Sequence, residues 1–172
     1  MARIIEVVPY NPHWPKMFEA EAKLIKKALG DNCIAIHHIG STAIPGLSAK
    51  PVFDILPVVK SLSEVDRSVE AMERIGYEAL GEYGIPLRRF FQKGGDWRTH
   101  HVHVFEKGNP AISLHLQFRD WLISHPDDAK AYQDLKLKLA SKFPRDSERY
   151  VKGKEAFIQS IKTKIEKNSD LN

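Results

Sequence analysis

The sequence predicts a mixed α+β fold in which a mixed β-sheet is flanked by helices and followed by a helical C-terminal part. Three observations support this class. A helical pattern precedes the sheet, short apolar segments typical of strands occupy about 31–106, and three helical patterns fill about 109–168. The chain has 172 residues, which is enough for a real apolar core, and we predict a single domain over 1–172.

The N-terminal part is predicted to be an extended arm followed by a helix. Residues 4–8 are too short for a helix and alternate too little for a half-exposed strand, so we interpret them as an edge strand or an arm. Asn11 is a candidate N-cap, with Pro12 at the first helical position. Apolar residues at three- and four-residue spacing then continue until Gly30, which ends the helix.

Apolar segments in the middle of the chain predict the sheet. The expected strands cover 33–39, 52–59, 77–80, 87–93 and 100–105. The last two form an antiparallel hairpin around a Gly-Gly turn. The strand at 52–59 is apolar on both faces apart from Asp54, as in a central strand, and Pro57 predicts that it ends or bulges there. A capping box at Ser61 opens a helix that Gly76 stops.

The C-terminal part is predicted to be entirely helical. Asn109 followed by Pro110 marks the start of a heavily buried helix, which Pro126 breaks. Two further helical patterns cover 127–142 and about 147–167. The order of helix, sheet and helices gives the α+β class.

Composition places the chain among soluble globular proteins. Of its residues, 42% are hydrophobic and 28% are charged, which are ordinary proportions for a packed domain. No run of about 18 apolar residues occurs, so we expect no membrane span. The single cysteine, Cys33, lies in an apolar strand pattern and cannot form an internal disulfide. This favours a reducing, cytoplasmic setting.

The net charge of the chain favours an anionic partner. A formal charge of +4 is compatible with a phosphate ester or a nucleotide as ligand. The densest basic groups lie on helical patterns that also carry acids, so we interpret them as solvated helix faces rather than nucleic-acid surfaces. These groups are Lys136/Lys138/Lys142 and Lys162/Lys164/Lys167. We expect no nucleic-acid partner and no membrane partner, and the oligomeric state stays open.

The sharpest chemical signal is the segment 38–54, in which one strand runs into a Gly-Ser turn and the next strand carries a lone acid. Gly40 lets a ligand approach the backbone, and Ser41 adds a hydroxyl beside amides that can point at an anion. On spacing alone, a phosphate site and a simple turn both stay open. Asp54 lies in an apolar strand, where a carboxylate is costly unless it is paired or binds a metal.

The residues around this segment resemble the signature of a known superfamily. Ile39-Gly40-Ser41, followed after 12 residues by Asp54, is similar to the nucleotidyltransferase (polymerase beta-like) pattern of a glycine turn and an Asp-x-Asp strand. The longer segment 38–55 resembles the hallmark of the GrpB family still more closely. Further resembling segments are 10–15, 100–104, 118–122 and the Tyr150/Lys154 pair. This resemblance covers nearly the whole chain and implies a nucleotidyltransferase-like fold.

One departure from the superfamily pattern bears on the metal. The second acid of Asp-x-Asp falls at Leu56, which cannot bind an ion, whereas two-metal catalysis uses several carboxylates. His101 and His103 point to one face of their strand and could complete a set with Asp54. We expect this set to hold a divalent metal, magnesium or manganese, with zinc as an alternative. The alternative to metal binding is that His101 and His103 are structural residues of the strand whose imidazoles form hydrogen bonds within the protein.

These residues lead to a hypothesis about function. An enzyme would transfer a nucleotidyl group from a nucleoside triphosphate to a small-molecule acceptor, with Ser41, Asp54 and His103 as catalytic residues. The substrate-binding residues would be Gly40, Ser41, Thr42, Lys50, Arg88, Arg89 and Lys154. Strand alternation lets only one of the two adjacent arginines face the site. Two alternatives stay open: a nucleotide or phosphometabolite binding protein without catalysis, and a metal-dependent hydrolase that uses His101 and His103.

Overall fold

Helices cover both faces of a five-stranded sheet in the computed structural model, which describes residues 3–171. The strands are β1 (Cys33–Ile39), β2 (Phe53–Val59), β3 (Tyr77–Ala79), β4 (Arg88–Lys93) and β5 (His100–Glu106). The helices are α1 (Trp14–Leu29), α2 (Leu62–Arg67), α3 (Val69–Arg74), α4 (Pro110–Ser124), α5 (Pro126–Lys142) and α6 (Ser147–Ser169). The predicted α+β class, with a mixed sheet and a helical C-terminal part, is confirmed.

The sheet has the strand order β1-β2-β5-β4-β3. Among these strands, β2 and β5 run parallel, and the other neighbours are antiparallel. The parallel register places Asp54 of β2 directly beside His101 of β5. Because alternate residues of a strand face the same side, His103 lies on that side as well. The two strands that carry the sequence-predicted acid and histidines are therefore neighbours.

The face of the sheet opposite Asp54 carries the larger apolar core. Buried side chains such as Ile55 of β2 and Val102 of β5 pack there against α1, α2 and α3. Cys33 lies in the same core as a free thiol, as its strand pattern predicts. Burial of this apolar surface is the main favourable free-energy term that holds α1 against the sheet.

The face that carries Asp54 is covered by the C-terminal helices. Leu56 and Val58 of β2 pack against the first turns of α4. A separate cluster joins α4, α5 and α6 around Leu122, Tyr132 and Ile161, and it includes two apolar residues of the loop after β1. The C-terminal helices therefore pack directly onto the segment that contains the Gly-Ser turn.

Two predicted boundaries in the first half of the chain are wrong. Helix α1 begins at Trp14 rather than at Pro12, because Asn11 Oδ1 accepts a hydrogen bond from the His13 amide in a turn that precedes the helix. Strand β2 does not end or bulge at Pro57, since its register to β5 is the same on both sides of that residue. A proline removes one donor from the ladder and leaves the rest of the strand paired.

Two helix predictions also need correction. The helix expected between Ser61 and Gly76 is divided into α2 and α3 at Ser68, whose hydroxyl donates to the Glu64 carbonyl. Ser61 does cap α2 and accepts from the Glu64 amide at 3.4 Å. Helix α4 was expected to be heavily buried, but Leu122 is its fully buried residue and two of its large apolar side chains, Leu114 and Ile123, face solvent.

Two further expectations concern the chain ends and the membrane. Residues 4–8 form an extended arm, in which Val8 makes an isolated antiparallel bridge to Ala49. No helix within residues 3–171 combines the length and the apolar character needed to cross a bilayer.

Candidate functional site

A glycine and a carboxylate meet where β1 ends and β2 begins. Ile39 pairs with Asp54 across the two strands, and the next residue, Gly40, has a φ of 73°. A Cβ atom at Gly40 would lie 2.6 Å from Asp54 Oδ2, so the missing side chain makes room for the carboxylate. A short 3-10 turn, Ser41–Ala43, follows immediately. The Gly-Ser turn and Asp54 therefore lie side by side.

Two imidazoles of β5 face the Asp54 carboxylate. His103 Nε2 donates to Asp54 Oδ1 at 3.0 Å, and His101 Nδ1 lies 3.6 Å from the same oxygen. The Asp54 side chain is 32% exposed, so one side of it is accessible. Burial opposes its ionisation, but the two imidazoles outweigh burial and hold the pKa of Asp54 below its usual range. Asp54 is therefore a carboxylate at neutral pH.

A buried arginine determines the tautomer of His103. Arg88 is 6% exposed, and its Nη1 donates to His103 Nδ1 at 3.3 Å. Because a guanidinium can only donate, His103 carries its proton on Nε2, where it points at Asp54. The other donors of Arg88 bind the carbonyl oxygens of Glu82 and Tyr83 at 3.2 and 2.8 Å. Arg88, His103 and Asp54 thus form one hydrogen-bonded chain.

This hydrogen-bonded chain does not fit a metal bound jointly by Asp54, His101 and His103. A metal on His103 Nε2 would move the ring proton to Nδ1, where it would face the donor of Arg88. His101 Nε2 is buried without a hydrogen-bond partner in residues 3–171, but one free nitrogen is not a ligand set. Within the same residues, no group of three or more His, Cys, Asp or Glu side chains is arranged to hold a metal. We therefore assign no reaction step to a metal held by these histidines.

Three lysines from different segments lie close to one another, and we name Lys50, Lys136 and Lys154 the lysine cluster. The charge of Asp54 acts on two of them, Lys50 and Lys154. Lys50 and Lys154 place their Nζ atoms 5.0 and 4.7 Å from the centroid of the Tyr150 ring. Lys136 Nζ lies 4.8 Å from the centroid of Tyr132. In the described part of the chain, none of the three forms an ion pair with a carboxylate. The cluster is therefore a concentration of positive charge that no directly paired carboxylate in residues 3–171 balances.

Burial and mutual repulsion weaken the basicity of these amines. Burial, together with the charges of Lys154 and Lys50, lowers the pKa of Lys136 to about 7. Burial and Lys50 lower the pKa of Lys154 to about 8, although Asp54 acts in the opposite direction. Burial also lowers the pKa of Lys50, again opposed by Asp54. A bound anion would relieve this repulsion. Closely spaced amines that repel one another are therefore typical of an anion-binding site.

Hydroxyl groups border the lysine cluster. Tyr150 is 1% exposed, and its Oη is buried without a hydrogen-bond partner in residues 3–171. An unpaired buried hydroxyl costs free energy that a ligand oxygen would recover. The Ser41 side chain lies close enough to the Tyr132 phenol to lower its pKa against the effect of burial, which places α5 beside the Gly-Ser turn. A ligand phosphate at the cluster would thus meet ammonium groups, a free phenol and the turn.

The structure brings together most of the sequence-predicted site residues. Those that lie around the carboxylate are Gly40, Ser41, Lys50, Asp54, Arg88, His101, His103 and Lys154. Thr42 is buried, and its hydroxyl pairs with His38 Nε2 at 2.8 Å. Arg89 points to the opposite face of the sheet and pairs with Asp66 at 2.7 Å. Neither Thr42 nor Arg89 presents its side chain to the site.

Lys136 is the site residue that sequence reasoning missed. Its assignment to a solvated helix face is wrong, because Lys136 is 2% exposed and donates to a backbone carbonyl of the loop before β2 at 2.7 Å. Its neighbours in that prediction, Lys138 and Lys142, are exposed as expected. The helical spacing of the sequence indicates this burial. Lys136 lies four residues after Tyr132 and three before Leu139, both of which are buried.

Comparison with known proteins shows the family. The family model described as GrpB protein matches residues 4–164 of the chain. The chain belongs to the GrpB family. The glutamate-rich protein GrpB of Alkalihalophilus pseudofirmus is 34% identical over 90% of this chain and 92% of its own length. UPF0157 protein YqkA of Bacillus subtilis is 48% identical over 92% of this chain, and the chain spans 46% of the length of YqkA.

A solved structure of the same family confirms the fold of this GrpB chain. The crystal structure of conserved protein GrpB from Enterococcus faecalis aligns with a TM-score of 0.90 and 41% identity, over 95% of this chain and 99% of that chain. Structures of the Cid1 poly(U) polymerase also match, with a TM-score of 0.46 and 11% identity over 76% of this chain and 44% of that chain. At that distance the similarity to a nucleotidyl-transferring enzyme carries no argument about activity.

Proposed function

We propose that this GrpB protein binds a nucleoside triphosphate through the lysine cluster and transfers its nucleotidyl group to a hydroxyl of a small-molecule acceptor. The observation that carries the proposal is the cluster itself, whose three lysines form no ion pair with a carboxylate in residues 3–171. The adjacent Gly-Ser turn and the ionised Asp54 complete the proposed site. A triphosphate carries several negative charges, so it matches three ammonium groups better than a single phosphate does.

In the proposed reaction, the acceptor oxygen forms a bond to the α-phosphorus, and the bond from that phosphorus to the pyrophosphate oxygen breaks. The lysines stabilise the charge that collects on the departing pyrophosphate. Asp54 accepts a hydrogen bond from the acceptor hydroxyl and orients it, while its lowered pKa makes it a poor base, so the proton passes to solvent. The nucleotide enters as its magnesium complex, and the ion therefore belongs to the substrate.

A direct test follows pyrophosphate release. We expect the protein, incubated with labelled nucleoside triphosphates, magnesium and a metabolite pool, to release pyrophosphate, and the Asp54→Asn variant to do so about 100-fold more slowly or less. An amide cannot supply the negative charge that orients the acceptor. Thermal unfolding and tripolyphosphate binding of the variant check that the fold and the phosphate subsite persist. Equal release by both proteins would remove Asp54 from the mechanism, and release by neither would remove the transferase.

A second function, nucleotide binding without transfer, is favoured by one observation. Leu56, at the position of the superfamily's second acid, is fully buried against α4 together with Val58 and Phe105. No carboxylate can replace it there without disrupting that packing. Tight tripolyphosphate binding with no pyrophosphate release from any acceptor pool would support this function. The hydrolase alternative has less support, because His101 and His103 both face Asp54 rather than a ligand space.

Tripolyphosphate binding is expected to weaken several-fold as the pH rises from about 7 to about 9.5. The amines of Lys136 and Lys154, with pKa values of about 7 and about 8, lose their charge over this range. The phosphates of the ligand only lose further protons over this range, so a loss of affinity comes from the amines of the protein. Calorimetry at several pH values measures this change in affinity. In the Lys136→Met variant, the affinity should change less with pH in the lower part of the range. Affinity that is constant up to pH 9.5 would show that these amines do not bind the anion.

A further inference from the structure

The loop between β3 and β4 exposes three large apolar side chains. Tyr83, Ile85 and Leu87 are 54%, 44% and 64% exposed. Two of them have a backbone conformation that is unusual for residues other than glycine, with φ of 47° at Tyr83 and 63° at Leu87. Bulky residues adopt such conformations at a cost, and they do so preferentially where a ligand is held. Core packing does not account for this loop, because its apolar side chains face outward.

Specific hydrogen bonds hold the loop in this conformation. The Glu82 carboxylate accepts from the Leu87 amide at 2.6 Å. Arg88 donates to the carbonyl oxygens of Glu82 and Tyr83. The same guanidinium donates to His103, whose other nitrogen binds the carboxylate of the candidate site. One buried arginine therefore ties the exposed loop to that carboxylate.

A continuous set of rings leads from the loop surface to the site. Tyr83 stacks on Phe90 with ring centroids 5.0 Å apart and planes inclined by 10°. The centroid of Phe90 lies 5.5 Å from that of His101 and 5.3 Å from that of His103. Phe90 covers one face of the Tyr83 ring, and the tyrosine is still half exposed. Its outer side is therefore open to a further planar ring.

We propose that Tyr83 is the stacking platform for the nucleobase of the bound nucleotide, with Ile85 and Leu87 as its apolar border. The proposal rests on the proposed function, because the base and the phosphates held by the lysine cluster belong to one ligand. Asp54 connects the lysine cluster with the loop. Its charge acts on Lys50 and Lys154, and its hydrogen bond to His103 leads through Arg88 to the loop. In the nucleotide, the α-phosphate likewise connects the other two phosphates to the nucleoside. Stacking accepts any base, so we expect little discrimination among the four nucleotides.

The test compares ATP with inorganic tripolyphosphate as calorimetric probes. The Tyr83→Ala variant is expected to bind ATP about five- to tenfold more weakly than the wild type, and tripolyphosphate with unchanged affinity, because only the contact with the base is lost. The matched variant Tyr83→Phe retains the ring and should bind both probes as the wild type does. Thermal unfolding of the variants checks that the loop substitution leaves the fold intact.

The outcomes separate this proposal from the function on which it rests. Equal ATP affinity of the wild type and Tyr83→Ala would overturn the stacking platform while leaving phosphate binding in place. Equal weakening of ATP and tripolyphosphate would overturn it too, since the loop would then act on the phosphate subsite. Binding of neither probe by the wild type would overturn both proposals.

Discussion

Replacement of Gly40 by alanine is expected to destabilise the protein more than replacement of Gly46. Both glycines have a positive φ, 73° and 78°, so an alanine is strained at either position, and Gly40 also has a ψ of −174°, in a region that only glycine adopts readily. Only at Gly40 would the new Cβ meet Asp54 Oδ2, at 2.6 Å, whereas at Gly46 it meets nothing within 4 Å. We therefore expect a further loss of about 1–3 kcal/mol at Gly40 alone. The free energies of unfolding in urea measure this difference.

The same pair of variants also tests the site. A methyl group at Gly40 would push the Asp54 carboxylate away from its hydrogen bond with His103. Pyrophosphate release should therefore be lost in Gly40→Ala and retained in Gly46→Ala, at temperatures where both variants are folded. If the two variants are equally stable and equally active, Gly40 does not serve to accommodate the carboxylate.

Lys136→Met is expected to weaken tripolyphosphate binding by about tenfold or more at neutral pH. A charge-assisted hydrogen bond to an anion contributes about 1.5–3 kcal/mol, and methionine keeps the length of the side chain but not the charge. The matched control is Lys138→Met, which removes the same charge from an exposed position of the same helix. Calorimetry at constant ionic strength compares the two, and equal weakening in both would show that only the net charge matters.

The stability of the Lys136→Met variant provides a second measurement. The pKa of Lys136 is about 7 in the folded protein, below its ordinary value of 10.5. The unfolded chain therefore binds more protons between these two values, and the free energy of unfolding should rise with pH across that interval. The variant should show a flatter dependence and a higher stability near pH 7. A variant less stable than the wild type at every pH would mean that burial of this amine is not costly.

Local features of the fold were predictable from the sequence because they depend on neighbours in the chain. Ser61 and Asn109 cap the helices that they were expected to cap, and Gly30 ends α1. Strand β1 has the predicted bounds. The proximity of Gly40 and Asp54 could also be predicted, since a short connection joins the two strands and one motif contains both residues.

The composition of the site was decided by contacts between distant segments. Lys136 reaches the site because α5 packs over the loop before β2, and its burial cannot be deduced from a count of basic residues. Arg88 rather than Arg89 faces the carboxylate because β4 pairs with β5 in one particular register. The proton on His103 is placed by Arg88, fifteen residues away in the chain.

The sequence by itself determined which chemical groups are available, where helices and strands lie, and that a glycine turn precedes a lone carboxylate. The tertiary structure alone decided that the imidazole of His103 is hydrogen-bonded to the carboxylate, and that three lysines lie close together, two of them within reach of its charge. The physical reason is that protonation, burial and mutual repulsion depend on distances in space. Those distances join segments that the order of residues keeps far apart.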